Sequence, residues 1–442
     1  MKIPIHIMAL GCARNDVDSE EIAARLNEAG FELVDDSEAA EVVVVNTCGF
    51  IEAAKTESIS AIIELKQQAS KRPVVVTGCL AQRFGTELAD SLSEADAVIG
   101  FDGYPKIVES IKQVMAGHRV VRHGISGQNQ TTVLPGWLPS YRHRLSNSPS
   151  APLKVASGCD RRCGFCAIPS IRGPFQSRPV ADIVSEARWL ATQQVKELFL
   201  VSENTTAYGK DLLDRRSLAS VLRQLSGLDG IEWIRLSYLQ PDEVRPWLIE
   251  AIATIPKVVP YFDLPFQHGS ASVLTRMRRF GDPASFLGLL DQVRCLLPQA
   301  GIRANFIVGF PGETESDIDT LKQFLVDAHL DAIGIFSYSD EEGTPAASLD
   351  HHLDIEEISA RTNEVSIFAD TMMSLRAEAR IGQVVEVLIE SNDGDNWIGR
   401  SAQQGPEDGQ TQIRNQASSI GVGDTVTGRL AATQGVDWFI DI

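Results

Sequence analysis

The sequence has no apolar run that approaches the length of a membrane span, and residues 1–7 lack the architecture of a signal peptide. We therefore expect a cytoplasmic protein with no membrane partner. Cysteine is also scarce, because seven cysteines among 442 residues form a sparse and odd-numbered set for a disulfide framework. In a reducing compartment, closely spaced thiols are better explained as metal ligands.

Positive charge is in short supply, since 40 Lys and Arg residues stand against 59 Asp and Glu residues, for a formal net charge of -19. Nucleic-acid affinity rests largely on Lys and Arg side chains at phosphates, so we expect no tight nucleic-acid binding. A basic protein partner suits this charge better.

The first 116 residues alternate short β-branched runs with amphipathic segments, a pattern typical of parallel βαβ units. We expect an open parallel α/β sheet with strands at residues 5–10, 41–45, 73–76 and 97–99. Helices are expected at residues 17–29, 51–68, 82–92 and 105–116. Residues 117–150 are rich in Gly, Pro, Asn and Ser, which predicts a linker.

Six strand-like runs follow, most of them separated by helical segments, at residues 153–157, 197–202, 231–238, 260–266, 302–309 and 332–338. Six βα units are too few to close an eight-fold barrel, so residues 151–378 are expected to form an open, partial TIM-type barrel with its site at the carboxyl ends of the strands. Residues 379–442 change to period two, which predicts a small antiparallel barrel of OB type. Its strands are expected at residues 384–389, 397–401, 424–430 and 438–440.

Three cysteines follow the first of these six strands at C-x-x-x-C-x-x-C spacing: Cys159, Cys163 and Cys166. This spacing suits three thiolates on one cuboidal iron-sulfur cluster whose fourth iron has no nearby cysteine. An iron-sulfur cluster held by four cysteines mainly passes electrons, whereas one with an open iron can bind and activate a small molecule. The pattern favours an enzyme.

A second set, Cys12, Cys48 and Cys79, is dispersed in sequence, but each cysteine follows the end of a predicted parallel strand. The carboxyl ends of such strands share one edge of the sheet, so the three thiols should converge. Each lies next to a glycine and before a helix N-terminus, which favours thiolate. A shared metal site is one interpretation, zinc with a fourth ligand is another, and small buried residues at strand ends are a third. Cys295 has no comparable setting and is expected to pack in the core.

The motifs together resemble the radical S-adenosylmethionine (SAM) methylthiotransferases. The cysteine triad with Phe165 before its last member resembles the radical-SAM signature, and the second cysteine set and a TRAM-like C-terminal barrel complete the likeness. Further matching strings are Leu10-Gly11-Cys12-Ala13-Arg14-Asn15, Asn46-Thr47-Cys48, Thr77-Gly78-Cys79 and Gly309-Phe310-Pro311-Gly312-Glu313-Thr314.

This resemblance implies SAM and two 4Fe-4S clusters. The cluster on Cys159, Cys163 and Cys166 would cleave SAM to a 5'-deoxyadenosyl radical, and the one on Cys12, Cys48 and Cys79 would carry or supply the sulfur. An electron donor of flavodoxin or ferredoxin type would be needed. Candidate SAM-binding residues are Phe165, Glu203, Thr205, Ser237, Asn305 and Glu313, although Glu203 is equally explained as a carboxylate near a helix N-terminus.

Two branches of the family differ in substrate. The string from Cys166 to Gly173, with Ile-Pro-Ser after Cys166-Ala167, resembles the branch that methylthiolates an aspartate on the twelfth protein of the small ribosomal subunit, rather than the branch that modifies tRNA adenosine. Charge favours the same branch, because residues 381–442 hold three bases against nine acids, and 3 minus 9 is -6. The alternatives are that acidity serves solubility only, that tRNA is the substrate, or that the chain is an electron carrier.

Overall fold

The computed structural model describes residues 2–123, 142–212, 217–394, 396–414 and 420–442. The chain divides into two compact units. The N-terminal unit comprises Met1–Asn147, Pro152–Arg161 and Ala167–Glu186, and the C-terminal unit comprises Ser148–Ala151, Arg162–Cys166 and Ala187–Ile442. Along the chain, the strand Ser150–Lys154 and the helix Val180–Thr192 contain residues of both units.

The N-terminal unit is built on a six-stranded parallel sheet, as its alternating pattern predicted. In spatial order its strands are Glu32–Leu33, Pro4–Ala9, Val42–Thr47, Val74–Gly78, Ala97–Ile99 and Val120–Arg122. Every residue of the third and fourth strands in this order is buried, as expected for parallel strands covered on both faces. The helices of the sheet connections are Ala13–Glu28, Glu52–Gln68, Cys79–Ser91 and Ile107–Met115, with 3-10 turns at Ser37–Ala39 and Phe101–Lys106.

Neither edge strand of this sheet was predicted from the sequence. Glu32–Leu33 and Val120–Arg122 have only two and three residues, too few to show a period. Val120–Arg122 lies inside the predicted linker, and residues 124–141 of that linker are outside the described part of the chain. The helix expected at 105–116 starts later, because Pro105 lies in the 3-10 turn that precedes Ile107–Met115.

A short hairpin-like element completes the N-terminal unit. Ala156–Ser157 pairs in antiparallel fashion with Gln176–Ser177. The five-residue helix Ile168–Arg172 ends at Gly173, whose φ of 74° is in the region that favours glycine.

The C-terminal unit contains the remaining predicted parallel strands. Glu197–Val201 pairs with Trp233–Leu236, and Tyr261–Asp263, Gly301–Val308 and Ala332–Ser337 pair in that order. A bridge between Ile234 and Val258 connects the two groups. The helices of this region are Ser217–Ser226, Pro246–Thr254, Ala271–Arg276, Pro283–Leu296, Glu315–Ala328 and Ile355–Glu378, with 3-10 turns at Thr205–Ala207 and Pro345–Ser348.

A closed five-stranded barrel ends the C-terminal unit. Its strands in spatial order are Val384–Asn392, Trp397–Ser401, Thr411–Arg414, Asp437–Asp441 and Thr425–Gln434. The predicted small antiparallel barrel is confirmed, and one of its pairings is parallel, that of Thr411–Arg414 with Asp437–Asp441. Thr411–Arg414 was missed, since four residues after a polar loop carry little periodicity.

Among the described residues, none of the helices combines the length and the apolar character needed to cross a membrane. The expected core position of Cys295 was wrong. This cysteine is exposed on the helix Pro283–Leu296.

Candidate iron-sulfur and SAM sites

Three loops that carry Cys12, Cys48 and Cys79 meet at one edge of the N-terminal sheet. A Cβ atom on Gly11 would lie 2.8 Å from the Cβ and 3.1 Å from the Sγ of Cys48. A Cβ atom on Gly49 would lie 2.6 Å from the Cα of Leu80 and 3.0 Å from the carbonyl carbon of Cys79. Glycine is therefore required at these two positions for the loops to approach one another.

Buried amide side chains hold two of these loops. The Asn15 side chain donates to the carbonyl oxygens of Leu10 at 2.7 Å and Asn46 at 3.0 Å. The Asn46 side chain donates in return to the carbonyl oxygen of Asn15 at 2.9 Å and to the Ser19 hydroxyl at 2.8 Å. These bonds tie the start of the helix Ala13–Glu28 to the end of the strand Val42–Thr47, so the positions of Cys12 and Cys48 are coupled.

The third loop is fixed by its backbone. Gly78 has a φ of 91°, and a Cβ atom there would lie 2.4 Å from the Asn46 side-chain oxygen and from the carbonyl oxygen of Thr47. Cys79 is the first residue of the helix Cys79–Ser91, and Cys12 is the N-cap of Ala13–Glu28. Both sulfurs are therefore attached at helix N-termini, where the helix dipole favours negative charge.

The thiols differ in acidity. Burial opposes ionisation of Cys12, but the nearby Arg14 and Arg172 guanidinium groups lower its pKa overall. Burial raises the pKa of Cys48, and it raises the pKa of Cys79 to about 11. Without a metal, Cys79 would keep its proton at neutral pH, so metal binding at this set must release protons.

The donor set suits an iron-sulfur cluster. Within the described ranges, no group of three or more His, Cys, Asp or Glu side chains is close enough to hold a single metal ion. Three thiols on converging loops can supply the three thiolates of a cuboidal cluster with an open iron.

Arg172 is the residue at this edge that sequence reasoning missed. It lies in the short helix after Cys166, and its guanidinium donates to the Cys79 sulfur at 3.4 Å and to the Asp18 carboxylate at 3.0 Å. Lys154 binds the other oxygen of Asp18. All three charged side chains are buried.

The first cysteine of the radical-SAM triad belongs to the N-terminal unit. Cys159 is buried, and its backbone N–H donates to the carbonyl oxygen of Gly173 at 3.1 Å. The Asp160 carboxylate accepts from the Phe175 N–H at 3.0 Å. A Cβ atom on Gly158 would lie only 2.1 Å from the carbonyl oxygen of Pro174, so this loop is packed tightly on the segment that follows the triad.

The other two cysteines belong to the C-terminal unit. The buried Arg279 directs one guanidinium nitrogen to the Cys163 sulfur at 3.7 Å and the other to the carbonyl oxygen of Pro265 at 2.8 Å. Gly164 bonds to the backbone of Met277 and Ala346. Phe165 packs against a cluster that includes Met277 and Phe310. The contacts of Phe165 are apolar, which suits a residue that shields an iron-sulfur cluster from water.

Buried acceptor atoms lie on two parallel strands of this unit and on the loop after a third: Asp263 ends Tyr261–Asp263, Asn305 lies in the middle of Gly301–Val308, and Gln240 follows Trp233–Leu236. Asp263 accepts from the Tyr238 N–H through one oxygen at 2.8 Å, while its other oxygen, the Gln240 side-chain oxygen and the Asn305 side-chain oxygen accept no hydrogen bond from the described residues. Burial raises the pKa of Asp263 to about 6. Unsatisfied acceptors of this kind fit a ligand that carries hydrogen-bond donors or positive charge, as the ammonium and sulfonium groups of SAM do. The sequence predicted Asn305 as a SAM contact but not Asp263 or Gln240, and all three remain predictions.

The other predicted SAM contacts have different settings. Glu203 is buried at the end of the second strand of the region. The Thr205 hydroxyl lies 3.1 Å from the Ser202 hydroxyl, and the Ser237 hydroxyl donates to the carbonyl oxygen of Leu200 at 2.9 Å. Both oxygens of Glu313 accept from the Gly309 N–H at 3.0 Å, and Arg361 donates to it at 3.1 Å. Glu313 therefore stabilises its own turn.

Comparison with known proteins covers nearly the whole chain. Residues 4–100 match the family described as "Uncharacterized protein family UPF0004", residues 153–325 match the radical SAM superfamily, and residues 381–439 match the TRAM domain. The chain is 50% identical to "Ribosomal protein uS12 methylthiotransferase RimO" of Saccharopolyspora erythraea, over 98% of this chain and 94% of the relative. The protein of the same name from Kineococcus radiotolerans is 49% identical, over 98% and 96% of the two chains.

Among solved structures, the chain is similar to the radical SAM methyltransferase TsrM from Kitasatospora setae, determined with cobalamin and a 4Fe-4S cluster. The TM-score is 0.55 at 15% sequence identity, over 78% of this chain and 77% of the other. At this identity the likeness concerns the fold alone.

Proposed function

The chain belongs to the ribosomal protein uS12 methylthiotransferase family, and from this membership we propose that it adds a methylthio group to the β-carbon of an aspartate side chain in that ribosomal protein. It is a radical SAM enzyme that transfers a sulfur-containing group. Its cofactors are SAM and two 4Fe-4S clusters. A ribosomal substrate implies that it works in the cytoplasm, and a flavodoxin- or ferredoxin-type protein is the proposed electron donor.

The observation that carries the proposal is the second cysteine set. A radical SAM enzyme needs one cluster to cleave SAM, and that role is proposed for Cys159, Cys163 and Cys166. Cys12, Cys48 and Cys79 are then available for a second cluster, and their convergence on glycine-dependent loops supports this assignment. When bound, the two clusters supply the electron for SAM cleavage and a metal site for the sulfur that is transferred.

The residues of the chain have the tasks of orientation and exclusion of water. Asn305, Asp263 and Gln240 are proposed to hold SAM, and their unsatisfied buried oxygens support this role. Glu203 and Phe165 are proposed to line the same region, and burial of the carboxylate and apolar packing of the ring support this. The remaining candidates have side chains that already bond to neighbouring protein groups: Thr205, Ser237 and Glu313. We propose that they hold the loops around the site in position and do not contact SAM through these side chains.

Fewer acids of residues 381–442 are available to attract a basic protein substrate than the sequence count indicates. Of the nine acids in residues 381–442, Glu390 pairs with Arg400, and Glu407 and Asp408 pair with Arg303. These three carboxylates are already paired with arginines of the C-terminal unit, which makes them less available to a basic partner. The proposal of the ribosomal substrate therefore depends on family membership more than on charge.

The test is a direct comparison of substrates. Protein reconstituted without oxygen is incubated with SAM, a reductant and either the ribosomal protein or unmodified tRNA, and mass spectrometry looks for an added methylthio group. We expect the modification on an aspartate-containing peptide of the ribosomal protein. A Cys166→Ala variant is the control and should give no product. Modification of the tRNA alone would overturn the proposed substrate, and absence of 5'-deoxyadenosine from fully loaded protein would overturn the radical chemistry.

A further inference from the structure

The segment that follows the radical-SAM cysteines is built into the N-terminal unit. The helix Ile168–Arg172 begins two residues after Cys166. Ala167 and Ile171 are buried in the same hydrophobic cluster as Cys79 and Phe101. This helix is therefore a fixed part of the wall beside the second cysteine set.

Arg172, the last residue of this helix, is a buried cation whose side chain is held by contacts with its neighbours. It is 2% exposed, and its guanidinium carbon lies 4.9 Å from the centre of the Phe101 ring. One terminal nitrogen contacts both the Cys79 sulfur at 3.4 Å and an Asp18 oxygen at 3.0 Å. Asp18 is fully buried and is also bound by Lys154. The ion pair with Asp18 thus holds the guanidinium in place against the sulfur.

Such a contact has a defined effect on an iron-sulfur cluster. Hydrogen bonds to cluster sulfurs and nearby net charge are two of the factors that set the reduction potential. Reduction adds negative charge to a cluster that already carries three thiolates. A buried positive charge that donates to one of those thiolates stabilises the reduced form and raises the potential.

The same segment also holds the first radical-SAM cysteine. Gly173, directly after Arg172, accepts the Cys159 N–H at 3.1 Å. The positive φ of Gly158 and its close approach to Pro174 leave this loop little room to move. Two adjacent residues therefore contact one cysteine from each set.

We propose that Arg172 is a positioning residue that sets the reduction potential of the cluster on Cys12, Cys48 and Cys79 and stabilises its attachment through Cys79. The inference rests on the proposed function, in which these three cysteines hold a 4Fe-4S cluster. It assigns a role at the sulfur-bearing site to a residue from the radical-SAM segment of the sequence.

The test uses the full chain in a Cys159→Ala, Cys163→Ala, Cys166→Ala background, in which only the N-terminal cluster is reconstituted. Its midpoint potential is measured by an EPR-monitored redox titration, and its stability by the rate of iron loss to a chelator. Arg172→Gln should lower the potential and accelerate iron loss several-fold. Arg172→Lys should give a potential between those of Arg172→Gln and the background protein. Lysine keeps the positive charge but lacks the planar guanidinium, which can donate to the sulfur and to Asp18 at the same time.

Arg142→Gln is the matched control. Arg142 is another buried arginine of the N-terminal unit, and it bonds to Glu20 and Glu186 at 2.5 Å and to the carbonyl oxygen of Pro152 at 2.8 Å. Its loss should destabilise the fold and leave the potential unchanged. An unchanged potential in the Arg172 variants, or an equal shift in Arg142→Gln, would overturn the inference.

Two further outcomes are distinguishable. If Arg172→Gln does not fold, Arg172→Lys provides the test, because the lysine keeps a positive charge beside Asp18. A midpoint potential below that of the background protein then supports the inference, and an unchanged potential contradicts it. If the background protein itself binds no cluster, the assignment of Cys12, Cys48 and Cys79 in the proposed function fails, and the inference fails with it.

Discussion

Glu21 is a buried carboxyl group on the helix Ala13–Glu28, surrounded by charges of both signs. Burial raises its pKa to about 8, and the carboxylates of Asp18 and Glu186 act in the same direction, whereas Lys154 and Arg178 oppose it. The folded protein therefore keeps a proton on Glu21 at pH values where the unfolded chain, with an ordinary pKa of 4.5, has lost it. Stability from this residue is complete below that ordinary pKa and declines as pH rises toward 8.

Glu21→Gln should remove this decline, because glutamine has no proton to lose. We expect the free energy of unfolding of the variant, relative to the parent protein, to increase between pH 5 and pH 8 by at most about 4 kcal/mol. Urea unfolding at several pH values measures it. Glu28→Gln, on the same helix and exposed, should show no such gain. A parallel pH dependence in parent and Glu21→Gln would contradict the prediction.

At the scale of single residues, the cysteines were predictable and their neighbours were not. Cysteine has few roles in a reducing compartment, so three at C-x-x-x-C-x-x-C spacing are informative without a structure. Arginine has many roles, and nothing in the sequence around Arg172 distinguishes it from an exposed residue. Its contact with Cys79 joins positions 93 residues apart and exists only in the folded chain.

Among the elements, the loop of residues 402–410 carries a buried carboxylate, that of Asp408. It joins Trp397–Ser401 to Thr411–Arg414. It packs on the amino ends of two parallel strands, because a Cβ atom on Gly301 would lie 2.0 Å from the carbonyl oxygen of Gln403 and one on Gly405 would lie 2.4 Å from the Tyr261 hydroxyl. Arg235 donates to the carbonyl oxygen of Ala402 at 2.9 Å. Asp408 accepts from the Tyr261 hydroxyl at 2.5 Å and pairs with Arg303. The small barrel is thus attached to the parallel strands by buried, charge-assisted bonds.

Asp408→Asn should destabilise the C-terminal unit by about 3 kcal/mol, because it leaves the largely buried Arg303 without its buried partner. The neighbouring Glu407 pairs with the same arginine at 2.8 Å, but its side chain is 76% exposed. Glu407→Gln should therefore cost less than about 1 kcal/mol. Chemical denaturation of both variants gives the comparison. Equal losses would show that burial of the pair does not determine its contribution.

Periodicity predicted the long elements of both units and failed for the short ones. Runs such as Val42–Thr47 are buried on both faces and stay apolar throughout, so they stand out in the sequence. The edge strands Glu32–Leu33 and Val120–Arg122 exist because a neighbouring strand offers unpaired backbone groups, and this is a property of the sheet.

For the molecule as a whole, the two cysteine sets are expected to act at different stages of one reaction. Cys163→Ala should abolish SAM cleavage and leave iron at the N-terminal set. Cys48→Ala should spare SAM cleavage and abolish sulfur transfer. Iron and sulfide content, 5'-deoxyadenosine release and methylthio product are measured for each variant, with about four irons expected where one cluster remains and about eight in the parent.

Cys295→Ala is the control for both variants, because Cys295 is exposed on a helix outside the two sets. It should leave iron content, SAM cleavage and product unchanged. If Cys48→Ala keeps the full iron content and forms product, the assignment of a second cluster to the N-terminal sheet is wrong.

The sequence by itself determined the class of fold, the three cysteines of the radical-SAM signature and the alignment of Cys12, Cys48 and Cys79 with the ends of parallel strands. These features depend on local spacing and on a topological rule about sheet edges. Only the tertiary structure decided how closely the cysteine loops approach, which acids of the C-terminal barrel are already paired, and which buried arginines contact the sulfurs of Cys79 and Cys163. Such contacts join residues distant in sequence, and their strength depends on burial, which no local pattern specifies.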